Sequence, residues 1–107
     1  MSRYVFIESR DPFESRDTRF IEETAVWVKE RGHEVTVFLV QNGVLSARTS
    51  AQRLGRLAEA GVTVLADDLS LRERGIKTGE LAPGIREAGI EALVDAIVQE
   101  NTKALWH

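Results

Sequence analysis

The sequence predicts a single-domain, three-layer α/β/α sandwich with a mostly parallel sheet of four to five strands, filling residues 1–107. Three observations carry this expectation. Compact runs of β-branched and aromatic residues alternate with segments whose apolar residues recur at helical spacing. The strand-like runs are apolar almost throughout, as suits strands covered on both faces, the usual setting of parallel sheets. The connections are short, which favours right-handed crossovers and a doubly wound order.

The first strand is Tyr4-Val5-Phe6-Ile7. A polar loop follows, in which Glu8-Ser9-Arg10-Asp11 recurs as Glu14-Ser15-Arg16-Asp17; copies this close together cannot build a repeat architecture. Phe20, Ile21, Thr24, Ala25 and Val28 mark the first helix, with Gly32 as its stop. Val35 to Val40 forms the second strand, and Gln41-Asn42-Gly43 is expected to be a tight turn in which Gly43 supplies positive φ. Ala47, Ala51, Leu54 and Ala58 predict a second helix ending near Gly61, followed by the strand Val62 to Ala66. After Asp67-Asp68, Ser70-x-x-Glu73 reads as the capping box of a short helical turn stopped by Gly75. Lys77 to Gly89, with Pro83 inside it, has room for a short fourth strand. Ile90, Leu93, Val94, Ile97 and Val98 form the last amphipathic stripe, and Lys103-Ala104-Leu105-Trp106 the closing strand.

Composition narrows the function classes. Fourteen basic and 17 acidic residues give a net charge of -3, which speaks against a phosphate-backbone binder, so no nucleic-acid partner is expected. Apolar runs are far shorter than the roughly 20 residues of a membrane span, so no membrane partner is expected either. The N-terminus enters a strand directly, with no secretory pattern, and a cytoplasmic location is expected. The chain contains no cysteine, which removes disulfides, thiolate metal ligation and a cysteine nucleophile. With two histidines, His33 and His107, a histidine-based metal site has no support, and neither a metal nor a cofactor is expected. There is no phosphate loop, and Ser9 and Ser15 have no histidine near them in sequence for a hydrolase triad.

In open α/β sheets, ligands gather at the carboxyl ends of the strands. Glu8 and Arg10, then Asn42 and Gly43, then Asp67 and Asp68 fall there, with Arg72 and Arg74 close behind and Trp106-His107 after the last strand. These residues make the candidate crevice. Each also has a plainer reading. Asp67 and Asp68 suit helix caps, Asn42-Gly43 suits a turn, and Arg10 suits a solvated loop charge. His33 falls on the opposite rim, and a terminal His107 is expected to be too loosely held for catalysis. The residues by themselves give a fold and a crevice, and no catalytic residue is assigned.

The motifs in order are more specific. Gln41-Asn42-Gly43-Val44 after a strand, then Gly61 to Ala66, then Asp67-Asp68-Leu69-Ser70-Leu71-Arg72-Glu73-Arg74-Gly75-Ile76, and a closing Lys103-Ala104-Leu105-Trp106 span nearly the whole chain. The sequence thereby resembles the DsrE/DsrF/DsrH superfamily of small sulfur-relay proteins, which includes TusB, TusC and TusD. The closing tryptophan and the segment from Val64 to Ile76 look most like the DsrH/TusB branch, whereas the unit from Tyr4 to Gly32 looks more like DsrE. The resemblance implies an α/β sandwich assembling as trimers or hexamers. It also implies a persulfide-carrying cysteine at the end of the third strand, just before the Arg-Gly-Ile segment. Counting back from Arg74-Gly75-Ile76 puts that position at Asp67. A carboxylate cannot accept or pass on sulfane sulfur.

Three expectations of function follow. The first is a cysteine-free, non-catalytic DsrE/DsrH-like subunit or accessory of an intracellular sulfur-transfer assembly. It would be a homo-oligomer, or a hetero-oligomer with cysteine-bearing DsrE/TusD-like proteins. The second is a protein or enzyme that binds a small polar metabolite in the strand-end crevice. The third is a purely structural oligomer. In a domain this small, Trp27 and Trp106 are candidate interface residues.

Overall fold

A computed structural model describes residues 1–51 and 54–107, the side chain of Ser50 excepted. Its elements alternate as the sequence predicts. β1 is Arg3–Glu8, α1 Thr18–Glu30, β2 Glu34–Leu39, α2 Gly55–Glu59 and β3 Thr63–Asp67. α3 is Asp68–Glu73, β4 Ile85–Ala88, α4 Ile90–Ile97 and β5 Thr102–Trp106. Short 3-10 turns cover Gln41–Ala47, Thr49–Ala51 and Thr78–Glu80. The described residues form a five-stranded sheet in the order β4-β3-β2-β1-β5, and every pairing is parallel.

This order sets the layers. β1, β2, β3 and β4 step outward one strand at a time, so right-handed crossovers put α1, α2 and α3 on one face. The connection from β4 to β5 runs back across the sheet and places α4 on the other. The cores agree. On the α1 side, Phe6, Val37, Leu39 and Val64 pack with Ile21 and Ala25 of α1, Leu57 of α2 and Leu71 of α3. On the α4 side, Val5, Ile7, Phe38 and Val40 pack around Leu93. Both faces of β2 are dry: Val37 and Phe38 are at most 1% exposed, which is why its sequence shows no alternation.

Two expectations about elements need correction. The predicted helix from Ala47 to Ala58 is broken. Arg48 is extended, with φ -70° and ψ 143°, and bridges to Leu81, so the turn Gln41–Ala47 ends there. A short 3-10 turn follows at Thr49–Ala51, residues 52 and 53 of the predicted helix lie outside the described residues, and α2 runs from Gly55. Ala47 and Leu54 are buried all the same; their spacing records burial rather than one continuous helix. The last stripe is also less buried than its pattern implies. α4 sinks Leu93 into the core but leaves Ile90, Val94 and Val98 at 52%, 52% and 72% exposure.

Candidate functional site

Parallel pairing brings the carboxyl ends of β1, β2, β3 and β5 to one rim. The sequence-predicted residues separate there into two hydrogen-bonded groups.

The first group is built on Asp67. β3 ends at this residue, and its carboxylate Oδ2 accepts the Ser70 backbone N–H at 3.0 Å and the Ser70 hydroxyl at 2.7 Å. Asp67 is therefore the N-cap of α3, with Asp68 inside the first turn. The capping box expected at Ser70 is corrected accordingly: Ser70 is a donor to the cap, not the cap. Its hydroxyl oxygen accepts the Gln41 N–H at 2.8 Å and so ties α3 to the end of β2. Arg74 then donates from Nε and Nη2 to Asn42 Oδ1 at 3.1 and 2.9 Å, and from Nη1 to the Ser70 carbonyl at 3.2 Å. Asn42 Nδ2 reaches Glu14 at 3.5 Å. Arg72 approaches Asp68 at 3.9 Å on the surface, a contact of little energetic weight.

The second group is built on Glu8, which is buried at 5% exposure. His107 Nδ1 lies 2.8 and 2.9 Å from its two carboxylate oxygens. Burial raises the Glu8 carboxyl above its ordinary range. The His107 contact and the backbone N–H groups of Arg10 and Ser9 pull it partly back. The expectation of a loosely held His107 is overturned. Its N–H donates to the Ile7 carbonyl, and its own carbonyl accepts the Ser9 N–H at 2.8 Å and the Ser9 hydroxyl at 2.9 Å. Trp106 Nε1 donates to Ser9 Oγ at 3.2 Å.

Gly43 also has a different reason from the one expected. The positive φ belongs to Gln41, at 51°, and not to Gly43. A β-carbon on Gly43 would collide with the Glu8 carbonyl oxygen, so glycine there lets the turn after β2 press against the end of β1. The Arg10 backbone N–H belongs to the Glu8 group, but its side chain joins neither group and is exposed. Trp27 and Trp106 are 51% and 63% exposed. At the opposite rim His33 Nδ1 accepts the Ser2 N–H, as its place in the sequence suggests.

Of the predicted crevice, then, Asn42, Asp67 and Arg74 come together through Ser70, Glu8 meets the backbone at Gly43, and Asp68 faces Arg72. Sequence reasoning placed Gln41 in the turn after β2 but missed its positive φ and its bond to Ser70, which have no side-chain signature. It also missed the closure of His107 onto Glu8, which only the β1–β5 pairing reveals. Among the described residues no group of three or more His, Cys, Asp or Glu is placed to hold a metal ion. Among the same residues no helix is long and apolar enough to cross a membrane.

Comparison with known proteins gives this geometry a setting. No curated protein sequence matches the chain. Among solved structures, the YchN protein of E. coli superposes with a TM-score of 0.89 at 18% identity, with all of both chains covered. MTH1491, a protein of unknown function from Methanobacterium thermoautotrophicum, superposes with a TM-score of 0.81 at 22% identity, again over all of both chains. These identities speak for a shared fold. The sequence profile of the DsrE/DsrF-like family matches residues 2–103, nearly the whole span in which the motifs from β1 to β5 occur. The chain belongs to the DsrE/DsrF-like family.

Proposed function

We propose that this protein is a non-catalytic member of its family, acting as a subunit or accessory of an intracellular, cytoplasmic sulfur-transfer assembly. The observation that carries the reading is Asp67. It occupies the position that the family resemblance gives to the relay cysteine, and its carboxylate is engaged as the cap of α3. With no cysteine in the chain, sulfane sulfur has to reside on a partner, and this chain shapes or docks that partner.

The surface of α4 supports an assembled state. Ile90 and Val94 on α4, and Val98 at its C-cap, are exposed apolar residues. Trp106 pairs in register with Ile7, whose side chain packs in the α4-side core, so the indole stands on the same side of the sheet. Large apolar side chains left exposed on one side of a sheet suit an interaction site. A homo-oligomer (trimer or hexamer), or a hetero-oligomer with a cysteine-bearing DsrE/TusD-like protein, would cover it.

Reconstitution tests the reading. The chain is mixed with a cysteine-bearing DsrE-like protein from the same host, and complex formation and persulfide transfer are followed. A stoichiometric complex whose transfer rate falls when this chain is left out is the expected result. A chain that stays apart and leaves the rate unchanged overturns it.

A further inference from the structure

The loop after β1 and the 3-10 turns after β2 enclose a cleft of about 430 Å³, within the usual range of small-molecule sites. Its polar lining is unusual in being unspent. Ser46 is 6% exposed, and its hydroxyl, which is not sealed from solvent, has no hydrogen-bond partner among the described residues. Arg48 is held by Nε donating to the Leu45 carbonyl at 2.9 Å. That bond leaves its two terminal nitrogens without a partner among the described residues. Asp11 is 8% exposed; one carboxylate oxygen accepts the Phe13 N–H at 3.3 Å, and the other is uncommitted among the described residues. Asp11 and Arg48 line the same cleft without forming an ion pair. The remaining walls are apolar and include Phe13, 94% exposed, with Leu45 and Ala51.

Opposite charges that line one cleft without neutralising each other select against a singly charged ligand. A simple anion would satisfy Arg48 but face the Asp11 carboxylate; a simple cation would do the reverse. A small zwitterion satisfies both. We propose that this cleft binds a small zwitterion with an apolar body, of the class of a free aromatic amino acid. The ammonium group is set on Asp11, the carboxylate on Arg48 and Ser46, and the side chain lies among Phe13, Leu45 and Ala51. The site shares no residue with the Asp67 group and does not depend on the sulfur-transfer reading.

Calorimetric titration of the intact protein with L-phenylalanine, N-acetyl-L-phenylalanine and L-phenylalaninamide separates the contributions. The amino acid is expected to bind, and each derivative, lacking one charge, to bind about tenfold more weakly or worse. Asp11→Asn keeps a side-chain oxygen for the Phe13 N–H and should erase the preference over the N-acetyl compound. Arg48→Gln should erase the preference over the amide. Urea midpoints like that of the wild type establish that both variants are folded. Failure of phenylalanine to bind, binding without preference among the three compounds, or a preference that survives both substitutions overturns the proposal.

Discussion

The Asp67 carboxylate accepts both the backbone N–H and the hydroxyl of Ser70, at 3.0 and 2.7 Å, so the last residue of β3 fixes the first turn of α3. The same hydroxyl oxygen receives the Gln41 N–H from the end of β2. One carboxylate thus organises the join between two strands and a helix.

Substitution at Asp67 should report this role. Asp67→Asn keeps an accepting oxygen and should change stability by less than about 0.5 kcal/mol, whereas Asp67→Ala should cost about 0.5–2 kcal/mol, the usual range for a lost N-cap. Urea denaturation followed by circular dichroism measures both. Equal losses for the two variants would show that charge rather than capping matters.

Two glycines make a matched pair. Gly43→Ala drives a methyl group into the Glu8 carbonyl, which is backbone and cannot rotate away, so a loss of at least about 1–3 kcal/mol is expected. Gly55 opens α2, and among the described residues nothing lies within 4 Å of an added β-carbon. Gly55→Ala should be neutral or stabilising by up to about 1 kcal/mol. Thermal unfolding of the two variants side by side is the check.

Glu8 should leave a signature in the pH dependence of stability. Its folded-state pKa is raised, chiefly by burial, so the folded protein holds this proton more tightly than the unfolded chain does. The stabilisation this proton provides is full below the unfolded-state pKa and is lost as pH rises through the folded-state pKa. Glu8→Gln removes that slope. Denaturation across the window just above the ordinary carboxylate range should show the wild type losing stability relative to the variant as pH rises, then levelling. A pH-independent difference would contradict it.

The exposed face of α4 predicts an assembly that charge disrupts. Val94 and Val98 are 52% and 72% exposed, so Val94→Glu and Val98→Glu should change the stability of an isolated chain by less than about 0.5 kcal/mol. If this face is covered in an oligomer, light scattering should give a multiple of 12.0 kDa for the wild type and 12.0 kDa for the double variant. A wild type that runs as a monomer at micromolar concentration would remove the assembly.

Much of the fold was legible because it rests on local rules. Two-sided apolar runs such as Val35 to Val40 announced a covered parallel sheet, and Gly32 and Gly75, both at positive φ, stop helices where expected. Legibility failed where tertiary contacts decide. Arg48 breaks the second helix because it bridges to Leu81, far away in sequence. Gly43 is required by the approach of Glu8, not by its own torsion. His107 becomes ordered because β5 pairs with β1 and carries it to a buried carboxylate. In the candidate site, the positions of Asn42 and Asp67 after strands, with Arg74 close behind, were readable from spacing. Their hydrogen-bonded grouping through Ser70 was not, because it depends on how α3 docks against the turn after β2.

The claim that Asp67 stands in a former sulfur site is tested most directly by Asp67→Cys. The thiolate would attack a polysulfide, forming the persulfide S–S bond as the polysulfide, shortened by one sulfur, leaves. The Ser70 N–H and hydroxyl that now bond the carboxylate would stabilise that thiolate and increase its population. The measurement is the rate of persulfide formation at this cysteine, compared with Gly79→Cys, where an added β-carbon meets nothing within 4 Å among the described residues. Reaction at position 67 about fivefold faster or more is expected, with no sulfane sulfur on the wild type. Equal rates at the two cysteines, or wild-type protein that accumulates sulfane sulfur, would contradict the account.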